Sequence, residues 1–394
     1  MTVYRKYLAS TVVVGAGNLV GYALNFVFFL LAARFLLFED FGVFRYLVSL
    51  GMIFYNSLFA GIYTTMTRFL SSEEKQTIGF NVLGFSTILL LASLPIMVFI
   101  GGISLCLLAL SFFVSQFAYS YFRGIHAYKQ LSLYLVAANA IRIALLGFLY
   151  LCSPEVLLFS FIYLVATLLP LPFVLSRKAL CASHGLLNKN LLKRLVRFSL
   201  PLYVSSIAYI LVANLDAVFV KEFLSPAELS YYMAAKTLMT VFVFAPFAVS
   251  TVMLPETAKN MEIKKNLQFG LALTAGISFL LAIPFLLIPT TLLGIIYPES
   301  YLPASQVLPT LSIAMVLFAC SDVFASVWTG AGKPLYEGFV LGIAAVADVV
   351  LLWLLVPTMG MPGAAFALLI AYGIAIFLWA GIAGSHSLQK PLRQ

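Results

Sequence analysis

Charge is scarce in this 394-residue chain, where Asp, Glu, Lys and Arg together make up 9% of residues against 63% hydrophobic ones. Soluble domains carry roughly 25% charged and about 45–50% apolar residues, so water is not the main solvent of this fold. Cysteine is sparse as well. The four present (Cys106, Cys152, Cys181, Cys320) form no CxxC pair, which argues against a disulfide framework and against zinc ligation at the usual spacing. His126, His184 and His386 fall between apolar runs without ligand spacing and read as solvated loop residues, so no metal and no cofactor is expected. No group of polar residues converges as a catalytic Ser/His/Asp or paired-carboxylate site does. No catalytic residue is therefore assigned, and an enzyme is not the expectation.

Apolar runs are what the chain has in abundance, with a mean hydropathy of +1.06. A helix crossing about 30 Å of hydrocarbon needs about 20 mostly apolar residues, because lipid offers its backbone no hydrogen bonds. Read against their charged and Pro/Gly breaks, the runs predict twelve spans. Six lie near 9–33, 43–66, 77–100, 102–122, 131–152 and 155–176. The other six lie near 198–220, 230–254, 267–292, 304–329, 335–356 and 362–383. The break at Gly101 and Gly102 interrupts an otherwise nearly continuous run. Arg5 and Lys6 ahead of the first run resemble the start of a signal peptide, but the run is long, lacks an A-x-A site and is followed by further spans, so it reads as a retained helix.

Basic residues set the orientation, since loops rich in Lys and Arg stay in the cytoplasm. One set of alternate loops and tails holds eighteen of them, from Arg5 and Lys6 through Arg68, Arg123 and Lys333 to Arg393; the other holds only Arg34, Arg45 and Lys221. Both termini are thus expected in the cytoplasm, and the net charge of +9 is mainly a topology signal that calls for no nucleic-acid partner. The connection 177–197 carries six Lys/Arg and no acid, interleaved with Leu186, Leu187, Leu191, Leu192 and Leu195. Such a segment suits an anionic leaflet and marks a linker between halves.

Sliding the chain along itself by 188 positions sets Arg5 and Lys6 on Lys193 and Arg194, Phe35 and Leu36 on Phe223 and Leu224, and Asp40 on Glu228. The expectation is an all-α polytopic membrane protein of two six-helix lobes related by a pseudo-twofold: 1–176, the basic linker 177–197, and 198–394, as where two bundles rock about a central site. Gly17 with Gly21, and Gly338 with Gly342, have the spacing that lets helices approach closely.

Charges inside spans cost about 2.5–3.5 kcal/mol on insertion scales and therefore face a partner or a cavity. Arg142 shares one helical face with Asn139 and Ser132, and Arg45, Ser49, Asn56 and Tyr63 follow at steps of four and seven. Asn18 and Asn25 repeat on the first span, and Ser111, Ser115 and Tyr119 on the fourth. Arg142, Lys236, Arg45 and Arg34 are candidate contacts for an anion such as a diphosphate, with Asn18, Asn25, Ser49, Asn56, Tyr63 and Asn139 as polar cavity residues. Pairing of the basic groups with Asp residues is the competing structural reading. Asp348, Asp216 and Asp322 are candidates for carrying H⁺ or Na⁺ in coupled transport, with a structural salt bridge as their alternative.

Several stretches resemble one family. FSLPLYVSSIAYILVANLDAVFVKEFLSPAELSYYMAAKTL (Phe198 to Leu238) carries a Pro entry at Pro201, an intramembrane Asp at Asp216 and a Tyr/Ala/basic pattern at Tyr232, Ala235 and Lys236. YPESYLPASQVLPTLSIA (Tyr297 to Ala314), GAGKP (Gly330 to Pro334), VPTMGMPGAAFA (Val356 to Ala367) and FLLFEDFGVFRYL (Phe35 to Leu47) follow the same family in order. The chain thereby resembles Wzx-type polysaccharide flippases of the MATE/MurJ-like (MOP) superfamily. That resemblance implies a two-lobed, twelve-span transporter of the inner membrane. Such a transporter moves a polyprenyl-diphosphate-linked oligosaccharide to the outer leaflet for surface polysaccharides such as O-antigen, capsule or exopolysaccharide. A polysaccharide polymerase and chain-length machinery are the implied partners, besides the lipid-linked substrate and membrane lipids. Two alternatives remain open: an ion-coupled multidrug exporter, which would favour an acidic cavity, and a membrane polymerase or ligase, against which the short outer loops argue.

Overall fold

The computed structural model describes residues 2–72, 75–147, 155–174, 189–260 and 263–387. Among them every regular element is helical, as the absence of backbone partners in hydrocarbon requires. The chain is a multi-pass membrane protein: ten helices are long and apolar enough to cross a bilayer, and Val156–Leu168 is a shorter apolar one. The 47-residue run Ile78–Gly124 is two spans joined at Gly102, whose φ of 65° and ψ of −163° break the helix. Only glycine adopts that conformation freely. Counted so, eleven segments among the described residues are long enough to cross, and the shorter Val156–Leu168 stands where the remaining one of the twelve expected spans was placed.

Bundles of this kind are turned inside out relative to soluble ones. Phe99 is 91% exposed and Phe377 78% exposed, positions that lipid covers, while Asn18, Arg142, Asp216 and Asp348 are buried.

Two compact units, Met1–Ile210 and Leu211–Gln394, make up the chain. Unit 1 comprises α1 (Thr2–Phe35), α2 (Phe38–Ser72), α3 (Lys75–Gly124), α4 (Tyr128–Leu146), α5 (Val156–Leu168), the single turn α6 (Leu171–Val174) and the first part of α7 (Lys189–Phe223). The division falls within continuous α7, not at the basic connection, much of which lies outside the described residues together with Cys152, Cys181 and His184. α1 packs on α4, and α2 on α3. A Cβ at Gly17 would collide with Ser132 and one at Gly21 would touch the Asn139 side chain at 3.6 Å, so the first glycine pair does bring two helices together. At Gly342, by contrast, a Cβ would meet open space. Aromatic rings fill the interior, with Phe28, Phe44, Phe159 and Tyr163 meeting at centroid distances of 5.6–6.4 Å, in the edge-on and tilted arrangements that ring quadrupoles favour.

Unit 2 holds the rest of α7, then α8 (Pro226–Met239), α9 (Phe244–Asn260), α10 (Ile263–Leu287), α11 (Pro289–Ile296), α12 (Leu308–Gly330), α13 (Leu335–Met359) and α14 (Met361–Ser387). Ser225 starts α8 through a capping box: its Oγ accepts from the Glu228 amide and the Glu228 carboxylate accepts from the Ser225 amide, with Pro226 at the first helical position. The acidic turn legible in the sequence is this cap, which satisfies two otherwise orphaned donors. Gly360, at φ 66°, separates α13 from α14, and a Cβ at Gly363 would overlap the Leu355 carbonyl. The P-x-x-G-x-x-G pattern at 357–363 is therefore a backbone requirement of this hairpin. Trp328 and Trp379 close the core beneath α12 and α14.

Candidate functional site

The buried charges fall into one group in each unit. In unit 1 the Arg142 guanidinium, on a residue only 4% exposed, leans on the Tyr163 ring at 3.4 Å and on Phe28 at 5.5 Å. Its Nη1 donates to Asn25 Oδ1 and to Asn139 Oδ1, each at 2.9 Å. Asn139 is oriented in turn by its Nδ2, which donates to the Leu135 carbonyl at 2.8 Å. The Arg142 Nε is buried with no hydrogen-bond partner. Two amide oxygens and two aromatic faces thus surround a full positive charge. Among the described residues no carboxylate pairs with it.

Arg45 reaches the same aromatic nest from α2, its guanidinium 4.0 Å from the Phe29 ring, and Phe29 lies 5.3 Å from Phe28. Arg142, Asn139 and Asn25 are thus joined by hydrogen bonds, with Arg45 on the neighbouring rings. Asn18 and Ser49 are buried on α1 and α2, while Arg34 is exposed in the last turn of α1, where a cation complements the helix dipole. Arg142 lies four residues before Leu146, the last residue of α4.

Asn56 and Tyr63 go elsewhere, to a cavity of about 450 Å³ at the opposite end of unit 1, which also draws in Arg68, Tyr119, Arg123 and His126. Reading Arg68 and Arg123 as topology charges and His126 as a loop residue missed this grouping. Their position at the ends of α2 and α3, flanking polar stripes already noticed, is the signal that would have found it. Ser111 serves packing, bonded to Thr167 at 2.7 Å.

In unit 2, Asp216 accepts from three donors: the Tyr232 hydroxyl at 2.6 Å, the Ala217 amide at 2.8 Å and the Lys236 ammonium in an ion pair. The anion role read for Lys236 requires that pair to open. Asp348, 1% exposed, has neither carboxylate oxygen hydrogen-bonded, yet it lies close enough to feel the charges of Asp216 and Lys236. One ammonium therefore faces two carboxylates. Asp322 stands apart, accepting from the Ser250 hydroxyl at 2.6 Å and sharing its surroundings with Glu337. Glu337 escaped the sequence reading because an acid in the first turn of a helix is an ordinary feature. Among the described residues no cluster of His, Cys, Asp and Glu has the make-up of a metal site.

Comparison with known proteins bears on both groups. Residues 7–261 match the family described as "Polysaccharide biosynthesis protein", and no curated protein matches the chain. Among solved structures, the lipid II flippase MurJ in an inward closed conformation superposes with a TM-score of 0.78 at 13% identity, over 95% of this chain and 87% of that one. An inward-facing multidrug resistance MATE transporter of the MOP superfamily gives 0.73 at 14% identity, covering 95% and 96%. A MOP superfamily transporter from Pyrococcus furiosus, described as having a binding pocket of reverse polarity, gives 0.60 at 14% identity over 96% and 95%. The fold is that of MOP transporters, and pocket polarity is a property that differs among proteins sharing it.

Proposed function

This chain belongs to the polysaccharide biosynthesis protein family, and on that premise we propose that it is a flippase carrying a polyprenyl-diphosphate-linked oligosaccharide from the cytoplasmic to the outer leaflet by alternating access. The observation that carries this reading is Arg142, a buried guanidinium held by neutral groups only. A diphosphate oxygen that displaces the Asn25 and Asn139 acceptors exchanges neutral hydrogen bonds worth about 0.5–1.5 kcal/mol for charge-assisted ones worth about 1.5–3 kcal/mol. Arg45, on the same aromatic nest, adds a second cation, and Arg34 and Lys236 are secondary contacts. The polar side chains of unit 1 replace the water that a glycan loses in hydrocarbon, at a saving of several kcal/mol per polar group, while the lipid tail stays outside.

Unit 2 supplies the driving force in this reading. Asp348, with Asp216 beside it, takes up a proton or Na⁺, which offsets the excess negative charge around Lys236, and Asp322 is a secondary candidate. The protein works in the cytoplasmic membrane with both termini inside, and hands its product to a polymerase and chain-length machinery building O-antigen, capsule or exopolysaccharide.

Reconstitution in vesicles tests the proposal. Wild-type protein should expose a prenyl-diphosphate-linked oligosaccharide to a glycosidase added outside, and protein-free vesicles should not. Export of an organic cation without movement of any glycolipid would install the multidrug reading, which the carboxylates of unit 2 favour.

A further inference from the structure

Unit 1 contains a second cationic place that the proposal above does not use. The cavity of about 450 Å³ falls in the size range of small-molecule sites, roughly 300–1,000 Å³. It runs along α2 from Tyr55 to Arg68, thirteen residues and so about 20 Å of helix. Arg68 and Arg123 stand on its lining with His126 near them, and no carboxylate is among the lining residues. Arg68 is set in place by the Phe198 ring 4.5 Å from its guanidinium. His126 is held by its Nδ1 contact with the Tyr128 hydroxyl at 2.9 Å and by an unusual backbone φ of 60°.

Away from the arginines the lining changes character. Tyr55 and Tyr63 are nearly parallel, 17° apart at 5.8 Å, and Asn56, Gln116 and Tyr119 supply amide and hydroxyl groups. Aromatic faces beside amides and hydroxyls match a pyranose, with its C–H face and its ring of hydroxyls. The guanidinium groups of Arg68 and Arg123 on one cavity lining match phosphate oxygens.

We infer that this cavity is a loading site for the phosphorylated saccharide headgroup, with the diphosphate at Arg68 and Arg123 and the first sugar against Tyr55, Asn56 and Gln116. This inference rests on the flippase reading and adds to it an order of events. Arg68 and Arg123 lie at the end of unit 1 that the basic residues assign to the cytoplasm, near Tyr128 at the start of α4. Arg142 lies near the other end of α4, fourteen residues or about 21 Å away. The headgroup is captured at the first place and reaches the second during translocation.

The test uses the purified full chain in detergent and three probes: a farnesyl-diphosphate-linked hexose, farnesyl diphosphate and inorganic pyrophosphate. Wild type should bind the hexose-bearing probe most tightly. Arg123→Gln should weaken all three by about tenfold or more, the worth of one charge-assisted contact to phosphate, and Arg123→Lys should recover part of the loss. Gln116→Ala should weaken only the hexose-bearing probe. Thr64→Trp, which fills the cavity from an exposed lining position, should abolish binding of that probe whether or not Arg123→Gln folds. Equal affinity for pyrophosphate and the hexose-bearing probe, or full affinity in Thr64→Trp, overturns the inference while leaving the flippase reading intact. Probe binding by a wild-type protein that moves no glycolipid overturns both.

Discussion

Among the described residues, Arg142 of unit 1 is a buried cation with no carboxylate bonded to it, whereas unit 2 sets Asp216 and Asp348 against Lys236. Arg142 rests on two amide oxygens and two rings; Lys236 rests on Asp216, with Asp348 left over. Both arrangements are costly in a low-dielectric interior, where an unpaired charge loses its hydration without recompense. A fold aiming only at stability would place the spare carboxylate against the spare guanidinium. In the function proposed above, the first imbalance takes the anionic headgroup and the second the coupling cation.

Four variants sharpen or break that contrast. Asp216→Ala should have the largest effect on folding, about 3–5 kcal/mol, because it removes one partner of the ion pair with Lys236 and leaves the buried Tyr232 hydroxyl without its acceptor; the midpoint of thermal unfolding in detergent reads this. Combining Asp216→Asn with Lys236→Met should recover much of that loss, and if it recovers none the ion pair is not what the single change removed. Gly360→Ala should cost about 1–3 kcal/mol by forcing a side chain into the left-handed turn between α13 and α14, with no change in which substrate is carried. Asp348→Asn should leave stability unchanged or raise it slightly, since a neutral amide costs less to bury than an unbonded carboxylate, yet transport should lose its dependence on a proton or Na⁺ gradient. Retained gradient dependence in that variant would remove the functional half of the comparison for unit 2.

Much of this was legible in the sequence. Long apolar runs punctuated by glycine, proline and basic residues have one physical solution in lipid, so the twelve crossings follow from composition and spacing. Even the doubtful break proved real, because Gly102 adopts a backbone that other residues avoid. The stripe on α4 was readable from the helical period, as Asn139 and Arg142 show. Pairing across helices was harder. Asp216 and Lys236 sit nine residues before and eleven after the cap at Ser225, and nearly equal distances from the turn of a helical hairpin bring side chains together, which selects Asp216 among the aspartates that could pair with Lys236. Arg68 and Arg123 were hidden for another reason, since a basic residue at a helix end is already explained as an orienting charge. Only their convergence on one cavity with Tyr55 and Gln116 separates a binding role from an orienting one.

The uncompensated guanidinium of unit 1 is most directly tested by charge discrimination in vesicles. The rate at which a short oligosaccharide linked to prenyl diphosphate reaches the outer leaflet is compared with that of the same oligosaccharide on an uncharged prenyl ether, for wild type and Arg142→Met. Wild type should move the diphosphate form about 100-fold faster, equivalent to about 2.7 kcal/mol, and Arg142→Met should erase the difference. Equal rates in wild type, or an undiminished preference in the variant, would contradict the assignment of the anion to Arg142.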